Sequence, residues 1–183
     1  MIAFSRAGLT AIRFLPLAAA LSGLSGAGAA SASQTYSGLL SVEQLARRAD
    51  VVVVGDVASA VGAWDAARRD IHTRIELTVA ETLKGTPASK LAFTQVDGQV
   101  GDQITTVAGA VTFETGERVL VFLERRPDRS LRLVDPFHGT FRVERDPATG
   151  RDDAIRATGA PAGDRRPLDQ VRGEVRRALG GAS

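Results

Sequence analysis

Four consecutive valines constrain the fold of this chain more than any other feature of its sequence. Val51–Val54 follow Asp50, and the apolar character continues to Val57. β-Branched residues favour extended backbone, and a run of them is too apolar to leave either face of a strand in water. We therefore predict a strand here that is buried on both faces.

Further strands are predicted along the chain, separated by short turns. Residues 71–79 alternate apolar and polar side chains, and this period of two is typical of a half-buried strand. Other predicted strands are 90–96, 119–123, 131–134, 140–144 and 152–156. Residues 62–69 are predicted to be a connection, and residues 97–109 are predicted to be a long loop or an irregular edge. Because no long helix separates consecutive strands, the pattern predicts a mainly β fold, a small antiparallel barrel or sandwich.

Two helices are predicted to flank the strands. Ser41 and Gln44 have the spacing of a capping box, which predicts a short N-terminal helix ending near Ala49. Pro167 suits the first position of a C-terminal helix, and Gly159–Arg166 before it is predicted to be a linker. The apolar face of that second helix would carry Leu168, Val171, Val175 and Leu179.

The first 32 residues have the three parts of a cleavable secretory signal. Arg6 and Arg13 form a basic region, an apolar run begins at Phe14, and small residues occupy 25–33. We predict cleavage after Ala32, with Ala29 as the alternative. A retained anchor is the competing interpretation, but glycines interrupt the run before it reaches the about 20 apolar residues of a spanning helix. We expect a periplasmic or secreted protein with no membrane anchor after cleavage.

The charge balance argues against nucleic acid as a partner. The chain holds 23 basic and 21 acidic residues, and two of the basic ones lie in the leader, so the remainder is formally neutral. Nucleic-acid binding relies on a basic surplus that displaces counterions. The chain has no cysteine, which excludes disulfides, thiolate catalysis and cysteine-ligated zinc. The fold must therefore depend on its apolar core.

Three residues are candidate surface contacts. His72 lies on the polar face of its predicted strand, where a solvated histidine is the ordinary interpretation. His138 follows Asp135-Pro136-Phe137 in a predicted loop, a setting where functional side chains are common, although a turn residue is the simpler interpretation. Trp64, the only tryptophan, follows the first strand and either anchors a partner or caps the barrel.

No motif of a catalytic or cofactor site is found after the leader. The sequence contains no G-x-S-x-G, H-E-x-x-H or Walker-type pattern. Asp97–Asp102 and the pair Asp152-Asp153 lack the ligand spacing of a calcium-binding loop. We therefore predict no catalytic residue, no metal site and no cofactor.

Two segments resemble the netrin-like modules, a family that includes the tissue inhibitors of metalloproteinases. Ala49–Val57 places "AD" before the valine strand, and Leu77–Gly85 closes on "LKG". Phe113 and Gly116–Leu123 are similar to the family's later turn and buried strand, so the resemblance covers roughly 49–134. It implies a five-stranded OB-type barrel. The inhibitors of that family chelate zinc through an N-terminal cysteine; this chain has none, and no inhibitory residue is carried over.

Together these patterns predict three parts: a signal peptide at 1–32, an OB-like β-barrel domain at 33–158, and a linker with a C-terminal helix at 159–183. The expected function is that of an exported non-catalytic module that binds a protein or another envelope component. Two alternatives stay open. One is a secreted protease inhibitor or regulator with a changed contact surface, and the other is a small hydrolase whose site the sequence does not reveal.

Overall fold

In a computed structural model of the chain, residues 39–157 and 164–180 are described, and they form a mainly β fold with two helices. The predicted signal peptide and both cleavage sites lie outside the described residues. The helices are α1 (Val42–Arg48) and α2 (Leu168–Gly180). The strands are β1 (Val51–Trp64), β2 (Ile71–Lys84), β3 (Lys90–Val96), β4 (Gly98–Val100), β5 (Gln103–Thr105), β6 (Arg118–Arg125), β7 (Leu131–Leu133), β8 (Thr140–Arg145), β9 (Asp152–Arg156) and β10 (Arg165–Pro167).

The strands form one large antiparallel sheet and one small one. The large sheet has the order β10-β9-β8-β6-β1-β2-β3, with β7 paired to β6 as well, and β4 pairs with β5 separately. Within the described residues the large sheet is not closed into a barrel, because β10 and β3 end the hydrogen-bonded order. The predicted strands β6 and β7 pair as an antiparallel hairpin, and so do β8 and β9.

Strand β1 is buried on both faces, as its valines predict. Val52 and Val54 pack into one apolar cluster with side chains of α1, α2, β6, β8 and β9. Val51, Val53 and Val57 pack into a second cluster with side chains of β2, β3, β6 and β7. Successive side chains of a strand point to opposite faces, so β1 divides the core into two.

The predicted element bounds need three corrections. β1 continues to Trp64, although 62–69 was predicted to be a connection, and 97–109 contains the β4–β5 hairpin. An added Cβ at Gly62 would lie 2.4 Å from the carbonyl oxygen of Gln99, so the chain stays extended here because another strand lies directly against it. Arg165–Pro167 form β10 beside β9 instead of ending a linker, and the second helix begins at Leu168. Residues 159–163 of that predicted linker lie outside the described residues.

Both ends of α1 are capped by side chains. The predicted capping box is confirmed: Ser41 Oγ accepts from the Gln44 N–H at 3.2 Å, and Gln44 Oε1 accepts from the Ser41 N–H at 2.8 Å. At the other end Lys84 Nζ donates to the carbonyls of Ala46 (2.9 Å) and Ala49 (2.5 Å). A cation there balances the partial negative charge of a helix C-terminus. These caps matter because a helix of seven residues is unstable by itself.

A buried arginine on β9 joins three segments that are distant in sequence. The side chain of Arg156 is 3% exposed. Its guanidinium donates to Asp164 Oδ2 at 2.5 Å, to the carbonyl of His138 at 2.7 Å and to the carbonyl of Leu40 at 3.2 Å. It also lies 4.5 Å from the centroid of the Phe141 ring. Arg156 thus connects the start of α1, the β7–β8 turn and the segment before β10.

We expect Arg156→Met to lower the free energy of unfolding by about 3 kcal/mol or more, because it removes a cation from a buried ion pair and leaves carbonyls without their donor. The matched control is Arg145→Met on neighbouring β8, whose ion pair with Asp152 (3.2 Å) is exposed at the arginine. The control variant should lose less than about 1 kcal/mol of the free energy of unfolding. Urea denaturation followed by circular dichroism measures both. Equal losses would contradict the structural role of Arg156.

Stability should also fall at acid pH through Asp164. Burial raises the pKa of this carboxyl, but hydrogen bonds from Arg156 and Arg166 outweigh burial, and the pKa lies below its ordinary value. A carboxyl whose pKa is lowered by folding stabilises the fold above its unfolded pKa of about 3.9, and this is lost as pH falls through the folded value. Urea midpoints should therefore drop more steeply as the pH falls below about 4 for the wild type than for Asp164→Asn. Parallel curves would show that Asp164 contributes no pH dependence.

Candidate functional site

The candidate site lies at the tip of the long hairpin formed by β1 and β2. Trp64 is paired with Ile71 and Gly62 with Thr73, so these four residues share one face of the hairpin. His72, paired with Ala63, lies on the opposite face. The tip therefore carries different chemistry on its two sides.

The small β4–β5 hairpin packs against the Trp64 face of the tip. Thr73 Oγ1 donates to the carbonyl of Asp97 at 2.5 Å, and the Ile71 N–H donates to Thr105 Oγ1 at 3.2 Å. Gly98, at φ +142°, comes so close that an added Cβ would lie 2.5 Å from Thr73 Oγ1. Only glycine combines this backbone conformation with this approach. The two hairpins are thus held together by two threonine hydroxyl groups and by a backbone approach that leaves no room for a side chain at Gly98.

A cleft of about 500 Å³ opens between the two hairpin tips. We call it the tip cleft, and it is lined by Trp64, Arg68, Val100, Asp102 and Gln103. The first two residues come from the end of β1 and from the β1–β2 turn, and the other three come from the β4–β5 hairpin. Its volume lies within the range of about 300–1,000 Å³ that small-ligand sites occupy.

Asp65 holds the turn that carries Arg68. Its Oδ1 accepts from the Arg69 N–H at 2.7 Å, its carbonyl accepts from the Arg68 N–H at 3.0 Å, and its own N–H donates to the carbonyl of Asp70 at 2.8 Å. The hydrogen bond from the Arg69 N–H lowers the pKa of the Asp65 carboxyl. Arg68 itself has φ +53°, an uncommon conformation for a residue with a side chain. The turn is therefore fixed by its own backbone and by one carboxylate.

The polar side chains of the tip cleft have no partner within the described part of the chain. Arg68, Asp102 and Gln103 make no side-chain hydrogen bond or ion pair with any residue of 39–157 or 164–180. Many other arginines of the chain pair with a carboxylate, including Arg142 with Glu117 at 2.9 Å. The cleft therefore presents donors and acceptors that the fold itself does not use.

The three predicted contact residues do not come together. Trp64 is the last residue of β1 and is partly buried in the wall of the tip cleft. His72 lies on the other face of the same hairpin tip, where its backbone bridges to Asp97. His138 lies elsewhere, in the turn between β7 and β8. Of the predicted contacts, Trp64 alone lines the cleft.

Sequence reasoning missed the other polar residues of the tip cleft. Asp102 and Gln103 lie in the segment 97–109, which was predicted to be a loop or irregular edge on account of Gly98 and Gly101. The one available signal was the Gly101-Asp102 step between Val100 and Gln103, because a Gly-Asp pair between two short strands is typical of a hairpin turn.

His138 is oriented by a fully buried carboxylate. Asp135 Oδ1 accepts from the backbone N–H groups of Phe137 (2.8 Å) and His138 (3.1 Å), and its Oδ2 lies 3.2 Å from His138 Nδ1. The side chain of Asp135 is 0% exposed and the imidazole is 17% exposed. An Asp–His pair fixes the orientation of an imidazole, and hydrolases use this arrangement to position a base. The same contacts also close the turn.

Among the described residues, no group of three histidine, cysteine, aspartate or glutamate side chains is placed to hold a metal ion. None of the helices described is long and apolar enough to cross a membrane. No protein-family model matches the sequence, and no curated protein is significantly similar to it.

We expect Gly62→Ala to separate β4 from β1, because the added Cβ would lie 2.4 Å from the backbone oxygen of Gln99. Such overpacking costs about 1–3 kcal/mol of the free energy of unfolding, which urea denaturation measures. The control is Gly173→Ala in α2, where the new Cβ meets nothing closer than Arg177 Nη1 at 3.4 Å. Alanine suits a helix better than glycine, so this variant should gain about 0.5–1 kcal/mol. Shifts of the same sign would contradict the close approach at Gly62.

Proposed function

We propose that this chain is an exported, non-catalytic binding module that holds a protein or another envelope component in its tip cleft. One observation carries the proposal: the cleft combines the only tryptophan of the chain with polar side chains that have no partner among the described residues. Export follows from the leader pattern of the first 32 residues, and the compartment is periplasmic or extracellular.

The support for binding is that the tip cleft is built before a ligand arrives. Trp64 is held by strand pairing with Ile71, and the β4–β5 wall is held by the Thr73 and Thr105 hydroxyl contacts. A preformed site loses little conformational freedom when its ligand binds. Tryptophan is enriched at the centres of binding sites, because its ring buries a large area at a small entropic cost.

We also propose that the sheet corresponds to the OB-like barrel of the netrin-like modules. Its support is the packing beyond edge strand β3. The ring centroids of Phe93 and Phe113 are 5.3 Å apart, and Gln95 Nε2 donates to the carbonyl of Val111 at 2.8 Å. The segment 111–113 thus lies beside edge strand β3. OB-type barrels bind ligands on one face and through the adjoining loops.

A small hydrolase is the second candidate, and one contact favours it. The buried carboxylate of Asp135 lies 3.2 Å from His138 Nδ1, which leaves the other ring nitrogen to act as a base. This pair is separate from the tip cleft, so the two functions are tested by different variants.

The test of the binding proposal compares three immobilised proteins. The full chain, Trp64→Ala and Ile104→Ala are exposed to an envelope extract of the producing cell, and retained material is identified by mass spectrometry. Ile104 is the control, because its side chain is 65% exposed on the side of β5 away from Gln103. We expect a component that the wild type and Ile104→Ala retain and that Trp64→Ala loses.

Two results would contradict the proposal. Equal retention by all three proteins would place the contact surface outside the tip cleft. Turnover of ester or peptide substrates by the wild type, abolished in His138→Ala, would replace binding by hydrolysis as the function.

A further inference from the structure

The charges and donors of the tip cleft restrict the chemistry of what it binds. Arg68 offers only hydrogen-bond donors, Asp102 only acceptors, and Gln103 both. One positive and one negative side chain leave the cleft formally neutral. A polyanion would meet the carboxylate of Asp102, and a cation would meet the guanidinium of Arg68. The matching ligand is therefore neutral overall and carries both donors and acceptors along its edge.

Trp64 adds an aromatic surface to this polar rim. The face of an aromatic ring carries partial negative charge, so it attracts the slightly positive C–H groups of a flat ligand. A pyranose ring has such a C–H face, and its edge is lined by hydroxyl groups that donate and accept hydrogen bonds. Both requirements of the cleft are met by this single class of molecule.

We propose that the tip cleft binds a neutral carbohydrate, with the sugar ring against Trp64 and its hydroxyl groups hydrogen-bonded to Arg68, Asp102 and Gln103. The inference rests on the proposed function and specifies the ligand class of the same site. Carbohydrate is one of the components of a cell envelope or extracellular matrix, so an exported module would meet it.

Two other surface cavities among the described residues lack this combination. A groove of about 460 Å³ beside the β2–β3 turn has no aromatic side chain, and its carboxylate, Glu81, already accepts from Arg172 at 2.6 and 2.9 Å. In a cavity of about 300 Å³, Arg74 and Glu76 are paired with each other at 3.2 Å. The carboxylates of these two cavities already serve the fold, whereas Asp102 of the tip cleft stays available.

An extended peptide fits the tip cleft less well. Peptides are commonly bound by main-chain hydrogen bonds to the edge of a sheet, with side chains in alternate pockets. Four of the five residues that line the tip cleft come from turns or from strands of three residues, so the cleft has no long strand edge of its own. Such a site suits a compact ligand better than the extended main chain of a peptide.

The chain contains its own reporter, because Trp64 is its only tryptophan. Tryptophan fluorescence of the full chain would be titrated with three neutral trisaccharides: chitotriose in its N-acetylated form, cellotriose and maltotriose. The same titrations would be made with Asp102→Asn, Gln103→Ala and the control Ile104→Ala. We expect a saturable change in fluorescence with at least one sugar. Its Kd should rise about tenfold in Asp102→Asn and Gln103→Ala and stay unchanged in Ile104→Ala.

Each other outcome is informative. No change with any of the three sugars overturns the carbohydrate inference, and a component lost from immobilised Trp64→Ala would then show that the tip cleft binds a protein instead. A change that persists unaltered in Asp102→Asn and Gln103→Ala overturns the assignment of the hydroxyl partners. If sugars have no effect and Trp64→Ala retains everything that the wild type retains, the proposed function fails with the inference.

Discussion

Because β1 is buried on both faces, each of its alternating valines needs apolar partners on its own side of the sheet. On one side α1 and α2 provide them, and on the other side they come from β2, β3 and the segment around Phe113. Because both faces of this strand are apolar, neither face of the sheet around it can be left in contact with water. The layered arrangement of the rest of the molecule follows from this requirement.

On the helical side, burial alone does not fix where the helices lie. Helix α1 has seven residues and depends on its caps, on Lys84 and on packing against α2. Apolar packing is not directional, whereas the hydrogen bonds of Arg156 are. They join Leu40, which precedes α1, to Asp164, which precedes β10. Buried guanidinium groups are tolerated where their donors are satisfied, and here carbonyl oxygens and a carboxylate satisfy them.

On the other side, the long hairpin extends beyond the core and has to be covered at its tip. Val57 is the last residue of β1 in the second apolar cluster, yet the strand continues to Trp64. The β4–β5 hairpin covers the tip, and glycine at 62 and 98 lets backbone pack directly on the opposing strand. At the ends of the β1–β2 and β4–β5 hairpins this packing is incomplete, and the gap between them is the tip cleft. The candidate site thus arises from the way an over-long hairpin is packed.

The sequence by itself determined the features that local interactions decide. The valine run gave two-sided burial, Ser41 and Gln44 gave the helix cap, and the bounds of β3 at Lys90–Val96 are those predicted. In each case the deciding signal lies within a few neighbouring residues of the chain, so a local sequence pattern reveals it.

Only the tertiary structure decided how far β1 extends, that β4, β5 and β10 exist, and which residues meet in the tip cleft. Arg68 and Asp102 lie more than thirty positions apart in the chain, and they meet because Gly62 and Gly98 admit a backbone contact between hairpins. Nor does any local pattern reveal that Arg156 reaches Leu40, 116 residues away. Such contacts depend on the fit of distant surfaces, and hydrophobic periodicity contains no information about that fit.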